Sequence, residues 1–159
     1  MTVYRPRQET LDDYAGFVDK FKPKKTTDDC YTPDAVYEVV KDWAISEYEL
    51  QGREIVRPFY PGGDYESFDY HDNCVVIDNP PFSIISKICK DYSQWDVDYL
   101  LFSPTLTNFV IKAANQHILT GETITYSNGA KVSTSFVTSF GDCLARTAPA
   151  LAKAIEDAQ

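Results

Sequence analysis

Apolar positions along this chain recur every three to four residues in some segments and run continuously or in alternation in others, so helices and strands should interchange along it. Leu11, Tyr14, Phe17, Val18 and Phe21 keep helical spacing behind Thr10, a capping hydroxyl, and Pro23 ends the segment. After a polar stretch from Lys24 to Cys30, Thr32-Pro33-Asp34 predicts a second helix start, with a hydroxyl at the cap, proline at the first helical position and an acid in the first turn. Its apolar stripe is Ala35, Val36, Val39, Val40, Trp43 and Ala44, and Gly52 closes the segment.

Beyond Glu54 the pattern turns to strands. Ile55-Val56 runs into a proline and glycine loop, Pro58-Phe59-Tyr60-Pro61-Gly62-Gly63. Cys74-Val75-Val76-Ile77 is a continuous apolar run of the kind a central parallel strand shows, and it stops at Asp78-Asn79-Pro80-Pro81. Ser83 to Tyr92 reads as a helix with Ile84, Ile85, Ile88 and Cys89 inward, Tyr99 to Phe102 as the next buried strand, and the three together as a right-handed crossover. Phe109 to Ala114 is expected as a short helix. Thr123 to Tyr126 and Lys131 to Phe140 alternate around Ser127-Asn128-Gly129, a strong hairpin signal. The alanine-rich tail from Leu144 to Gln159 favours helix, but Pro149 interrupts it, so a loosely docked end is expected.

Parallel strands joined by helices and finished by a hairpin make a three-layer α/β sheet, in which ligands sit at the carboxyl ends of the strands. The loops Pro58 to Asp64 and Asp78 to Phe82 both leave such ends and should lie side by side. The division expected is one domain over residues 1–159, with a helix and basic linker at 1–27, a core at 28–140 and a tail at 141–159.

Composition narrows the partners. At 43% hydrophobic residues the chain can build a sizeable core. No stretch approaches the ~18 uninterrupted apolar residues of a membrane span, and Met1 to Thr10 lacks a secretory apolar segment, so a cytoplasmic protein without a membrane partner is expected. Cys30, Cys74, Cys89 and Cys143 lie far apart without a CxxC pair, which suits reduced, buried thiols. A net charge of −9 opposes nucleic-acid binding, which draws on Lys and Arg against phosphate. Lys20, Lys22, Lys24 and Lys25 nevertheless crowd around Pro23, and that run either meets phosphate or forms a solvated linker. His71 and His117 have no Cys or His neighbour at a ligand spacing, so no metal is assigned.

The chemistry resides in Asp78-Asn79-Pro80-Pro81-Phe82. An aromatic amino group is a weak nucleophile because its lone pair is delocalised into the ring, and a transferase must accept its hydrogen bonds to turn the lone pair outward. The Asn79 side-chain carbonyl and the Pro80 main-chain carbonyl can converge on one amino group, since the prolines hold the backbone extended. Phe82 offers a stacking face for an extruded base, whose flipping costs a few kcal/mol.

Asn79-Pro80-Pro81-Phe82 resembles the Asp/Asn/Ser-Pro-Pro-Tyr/Phe motif of the adenine-specific amino-methyltransferases of DNA. Asp29-Cys30-Tyr31-Thr32-Pro33 is similar to the aromatic-Thr-Pro segment of those enzymes, and Pro58 to Asp64 stands where they carry a glycine-rich loop. The order of these motifs, over roughly Asp28 to Phe140, resembles that of the EcoRI-type adenine methylases. The resemblance implies a Rossmann-like, S-adenosylmethionine-dependent methyltransferase fold, mostly parallel with a terminal antiparallel hairpin, that methylates adenine N6 in DNA as restriction-modification systems do. It assigns Tyr31, Thr32, Pro33, Pro58, Tyr60, Gly62, Gly63 and Asp64 to S-adenosylmethionine, Asp78, Asn79, Pro80, Pro81 and Phe82 to the reacting base, and Lys22, Lys24 and Lys25 to the nucleic acid. Gly62-Gly63 replaces the usual alternating glycines, and barely a dozen residues separate Gly63 from Val75, so the cofactor half is shortened. Asp69 or Asp72 would then have to supply the acid that binds the cofactor ribose, unless both are plain turn residues. Target recognition would need a separate partner, another copy of the chain, or a part of the gene outside this sequence. The same motif serves amino-methyltransferases of RNA and protein, and a shortened fold can also persist as a binding module without turnover.

Overall fold

The computed structural model describes residues 31–60 and 63–159. The helix expected over Leu11 to Phe21, the lysines Lys20, Lys22, Lys24 and Lys25, Cys30, Pro61 and Gly62 lie outside the described residues.

One mixed sheet of six strands organises the described chain. In chain order, helix α1 (Asp34–Glu47) leads to strands β1 (Glu54–Val56) and β2 (Cys74–Asp78). Helix α2 (Ile85–Trp95) follows a 3-10 turn at Phe82–Ile84, and then come β3 (Asp98–Pro104), a 3-10 segment at Thr105–Val110, β4 (Gln116–Thr125) and β5 (Lys131–Thr138). Strand β6 (Ala145–Thr147) and helix α3 (Pro149–Asp157) complete it. Across the sheet the order is β1-β2-β3-β5-β4-β6. The first three strands are parallel, β5 is antiparallel to both β3 and β4, and β6 runs parallel to β4.

Burial explains why β2 and β3 read as continuous apolar runs. Successive side chains of a strand point to opposite faces, and both faces here are covered. Val75, Ile77, Leu100 and Phe102 pack with Val36, Val40 and Ala44 of α1 and Leu151 and Ile155 of α3. Cys74, Val76, Tyr99 and Leu101 pack with Ile85, Ile88, Cys89 and Tyr92 of α2. The result is a helix, sheet, helix sandwich in which no described helix is long and apolar enough to cross a membrane.

Described residues between β1 and β2 pack closely. Tyr65, Phe68 and Tyr70 lie there, and Tyr65 and Tyr70 set their rings within 6.2 Å of Tyr92 and Trp95 on α2. Hydrogen bonds fix the same rings, between the Tyr70 and Tyr92 hydroxyls at 2.9 Å and from the Tyr65 hydroxyl to Asp91 at 2.8 Å. Aromatic packing thus covers the flank of the sheet next to β1.

Several expectations need correction. Pro33, not Thr32, is the N-cap of α1, and the Thr32 hydroxyl makes no capping bond. The helical stripe is Val36, Tyr37, Val40 and Ala44, with Ala35 exposed, because Tyr37 reaches under the helix to donate its hydroxyl to the Ile77 carbonyl at 2.8 Å. Ile84 faces outward because its turn is 3-10 rather than α-helical. The short helix expected over Phe109 to Ala114 is displaced toward the N-terminus: Phe109 and Val110 end the 3-10 segment, and the coil after them turns to bury Ile111 and Ala114 against the sheet. The hairpin is present, but its first strand begins at Gln116, before the alternation shows. Pro149 starts α3 instead of breaking it, as a proline can in a first turn, and Leu151 and Ile155 dock the tail into the core. Cys74 and Cys89 are buried free thiols, whereas Cys143 is exposed.

Candidate functional site

β1 and β2 are parallel neighbours, so their carboxyl ends deliver the two loops of interest to one edge of the sheet. A cleft of about 120 Å³ opens there, lined by Tyr31, Thr32, Asp34, Arg57, Phe59, Tyr60, Asp78 and Asn79. α1 contributes its first turn, and Tyr31 is strapped to the tip of the β4-β5 hairpin. The Tyr31 N–H donates to Ser127 Oγ at 3.1 Å, and the Ser127 N–H donates back to the Tyr31 carbonyl at 3.0 Å.

Asp78 is the structural centre of the cleft. It is 1% exposed, and its Oδ2 accepts the Phe59 N–H at 2.8 Å while Oδ1 accepts the Asn79 N–H at 2.8 Å and Arg57 Nε at 3.3 Å. One carboxylate therefore fixes both loops. Burial pushes its carboxyl above the ordinary range, and the two backbone donors and the Arg57 guanidinium offset part of that rise. The first residue of the Asp-Asn-Pro-Pro-Phe run thus holds the site's shape, and its oxygens are already committed.

Asn79 follows with its backbone pinned by Asp78 and its side chain lining the cleft at 9% exposure. Pro80 is buried, and Pro81 is extended at φ −57° and ψ 119°, as the sequence leads one to expect. Phe82 is half-buried and meets Tyr126 edge to face, with centroids 6.4 Å apart. It packs beside the hairpin and keeps part of its ring accessible.

The expected cofactor residues divide. Tyr31, Thr32 and Tyr60 line the cleft, Tyr60 standing 59% exposed at its rim. Pro33 caps α1 beside it. Pro58 is buried in the loop, and Gly63 and Asp64 do not reach the cleft. Gly63 is glycine for a reason within the loop: its N–H donates to the Tyr60 carbonyl at 2.8 Å, and a Cβ there would lie 2.2 Å from the Pro58 carbonyl oxygen. Asp64 caps the following turn, accepting the Glu66 N–H at 3.0 Å and the Ser67 hydroxyl at 2.9 Å. Asp72 is exposed, and Asp69 lies 3.6 Å from His71 on the surface, where His71 also meets Glu54 at 2.9 Å. His117 is buried away from this edge, with Nδ1 2.7 Å from Asn108 Oδ1 and burial holding its imidazole below its ordinary value.

Arg57 and Asp34 are the site residues that motif reading missed. Arg57 lies 3.7 Å over the Tyr37 ring and 5.2 Å from that of Tyr60, a cation held between two aromatic faces. The available signal was an arginine directly after the apolar pair Ile55-Val56, where a charge needs a reason to sit. Thr32 Oγ1 is buried and finds no hydrogen-bond partner among the described residues. An unsatisfied buried hydroxyl costs ~1–3 kcal/mol, which makes a ligand atom its natural complement.

Against known proteins, no family model, no curated protein and no solved structure matches this chain.

Proposed function

We propose that this chain transfers a methyl group from S-adenosylmethionine to the exocyclic N6 amino group of adenine in DNA, at the carboxyl edge of β1 and β2. The observation that carries the reading is the juxtaposition of Tyr31, Thr32, Tyr60 and Asn79 around one cleft, although they come from three separate segments of the sequence. Two motifs suited to a cofactor and to an amino group thus share a wall.

The donor set suits the amino-acid end of the cofactor. Thr32 Oγ1 offers a buried hydroxyl unspent among the described residues, Arg57 a cation and Asp34 an anion, all on the cleft wall. When bound, S-adenosylmethionine supplies an electrophilic methyl group on a sulfonium. The chain's own contribution is positional. Asp78 fixes the backbone of Asn79, so the Asn79 side-chain carbonyl and the Pro80 main-chain carbonyl can accept hydrogen bonds from the amino group and direct its lone pair. Phe82, braced by Tyr126, supplies the stacking surface for the extruded base. Such a transfer draws on orientation more than on acid-base groups, which suits a cleft lined by no histidine.

One observation favours a second reading, a methyltransferase-like fold that binds without turnover. The cleft measures about 120 Å³, against the ~300 Å³ or more usual for a small-molecule site. Calorimetric titration with S-adenosylhomocysteine tests the cofactor half of the first reading. Saturable one-site binding that Tyr31→Ala weakens and Asn79→Ala spares is the expected outcome. No heat of binding at millimolar ligand overturns it.

A further inference from the structure

A second cleft, of about 440 Å³, opens where α2 ends and β3 begins, lined among others by Ser93, Asp96, Asp98, Tyr99, Asn115 and Ser139. Because β1, β2 and β3 are parallel, this is the amino end of the strands, opposite the cleft at Asp78. The donors on its wall are spent. The Asn115 amide nitrogen donates to the Phe140 and Gly141 carbonyls at 3.2 and 2.6 Å, and the Ser139 hydroxyl donates to Asp98 at 3.2 Å. The Ser93 hydroxyl donates to the Ala113 carbonyl at 3.4 Å. What remains is acceptor capacity, in two carboxylates and the Asn115 side-chain carbonyl. Asp98 shares its charge with Arg53 at 2.9 Å. Asp96 is exposed at the left-handed C-cap of α2 and pairs with no described cation, and the helix brings its negative end to the same place.

One group on this wall is left over. Tyr99 is 1% exposed, and its hydroxyl is buried without a hydrogen-bond partner among the described residues. The Cys89 thiol and the Ser93 hydroxyl lie near it without completing a bond. An orphan of this kind costs ~1–3 kcal/mol, a cost that a ligand atom in the cleft would remove. Burial holds the phenol above its ordinary range, so it stays a neutral hydroxyl that can accept as well as donate. We propose that this cleft binds a small organic cation bearing a guanidinium or primary ammonium group. Such a group brings several N–H donors and one positive charge, the complement of a wall rich in acceptors. Asp96 supplies the opposite charge, and the Asn115 carbonyl and the Tyr99 hydroxyl supply further acceptors. The volume falls within the ~300–1,000 Å³ usual for small-molecule sites. A net charge of −9 draws cations toward the chain. None of the residues lining this cleft lines the cleft at Asp78, so the proposal stands apart from methyl transfer.

Three probes separate charge from hydrogen bonding. Methylguanidinium carries both, methylurea has nearly the same shape and N–H groups without the charge, and tetramethylammonium has the charge without an N–H. In amide NMR titrations of the isotope-labelled full chain, methylguanidinium should give saturable shifts centred on Asp96, Val97, Asn115 and Ser139. Both controls should bind at least about tenfold more weakly, the scale of one charge-assisted hydrogen bond. Asp96→Asn removes the charge at a left-handed position that asparagine tolerates, and should bring methylguanidinium down to the level of methylurea. Tyr99→Phe removes only the hydroxyl, and should weaken methylguanidinium several-fold without lowering the thermal midpoint, since the group it deletes is unsatisfied. Shifts that do not saturate or that scatter over the surface overturn the proposal. So do equal affinities for methylguanidinium and methylurea, or an Asp96→Asn chain that binds like the parent. A Tyr99→Phe chain that loses stability and keeps its affinity would show the hydroxyl to be structural, and would overturn its place in the site.

Discussion

Replacing Asp78 by asparagine separates two forces that meet in one buried carboxylate. Asp78 accepts hydrogen bonds from the backbone of Phe59 and Asn79 at 2.8 Å each and from Arg57 at 3.3 Å. Asparagine has one carbonyl oxygen and must turn its amide nitrogen toward the remaining donors. One buried backbone N–H is then left unsatisfied, at a cost of ~1–3 kcal/mol. Arg57 keeps partial contact with water, so its lost partner adds little. Alanine removes every acceptor and leaves the Phe59 and Asn79 N–H groups both unsatisfied, at ~1–3 kcal/mol each, a large part of the ~5–15 kcal/mol that keeps a domain folded.

The pH dependence gives this prediction its sharper edge. Burial raises the Asp78 carboxyl above its ordinary 3.8, so the folded chain binds a proton at a pH where the unfolded chain has released it. The stability this group contributes is therefore fully present below the unfolded value and declines as pH rises through the folded one. The substituted amide does not titrate, and the other carboxylates are common to both chains and cancel in the comparison. Urea denaturation of parent and Asp78→Asn, at pH 7 and near pH 4, should show the parent's advantage growing toward acid. An advantage that shrinks toward acid would mean that Arg57 and the backbone donors outweigh burial, and would refute the reasoning.

Two further predictions concern elements that frame the cleft. Gly63→Ala places a Cβ 2.2 Å from the Pro58 carbonyl oxygen. It should lower stability by ~1–3 kcal/mol, as overpacking does, with a matching drop in the thermal midpoint; an unchanged midpoint would mean that the loop does not close in this way. Leu151→Ala empties a fully buried position in α3 and should cost ~2–5 kcal/mol in denaturant titration. Loss of only a few tenths would show that the tail is not docked in the core.

What the sequence disclosed depended on how local the cause was. Cys74 to Ile77 was legible as a central strand because both of its faces are covered, and Asn128-Gly129 was legible as a turn because Gly129 sits at φ +84°. The start of β4 was hidden because Gln116 and His117 are buried through polar partners. Gln116 bonds to Tyr48 and Cys143, and His117 bonds to Asn108, so no apolar pattern marked them. Pro149 was ambiguous, since one residue type both breaks helices and opens them, and only the docking of Leu151 and Ile155 decides which. In the candidate site, the motif Asn79 to Phe82 and the segment Tyr31-Thr32 stood out as short patterns. The Arg57 to Asp78 pair spans 21 positions and exists only once β1 and β2 lie side by side. Asp64 is the opposite case, as a carboxylate beside glycines suits a tight turn as well as a ligand.

In the proposed reaction, Asn79 directs an adenine amino group toward a methyl donor held in the cleft that Asn79 itself lines. The direct measurement is mass-spectrometric detection of N6-methyladenine in adenine-containing DNA incubated with S-adenosylmethionine and the purified chain, with Asn79→Ala alongside. The parent should form methylated adenine in step with S-adenosylhomocysteine, and the variant should lose at least about a hundredfold, the scale of removing an interaction specific to the transition state. No methylated adenine from a parent chain that binds the cofactor, or equal yields from parent and variant, would contradict it.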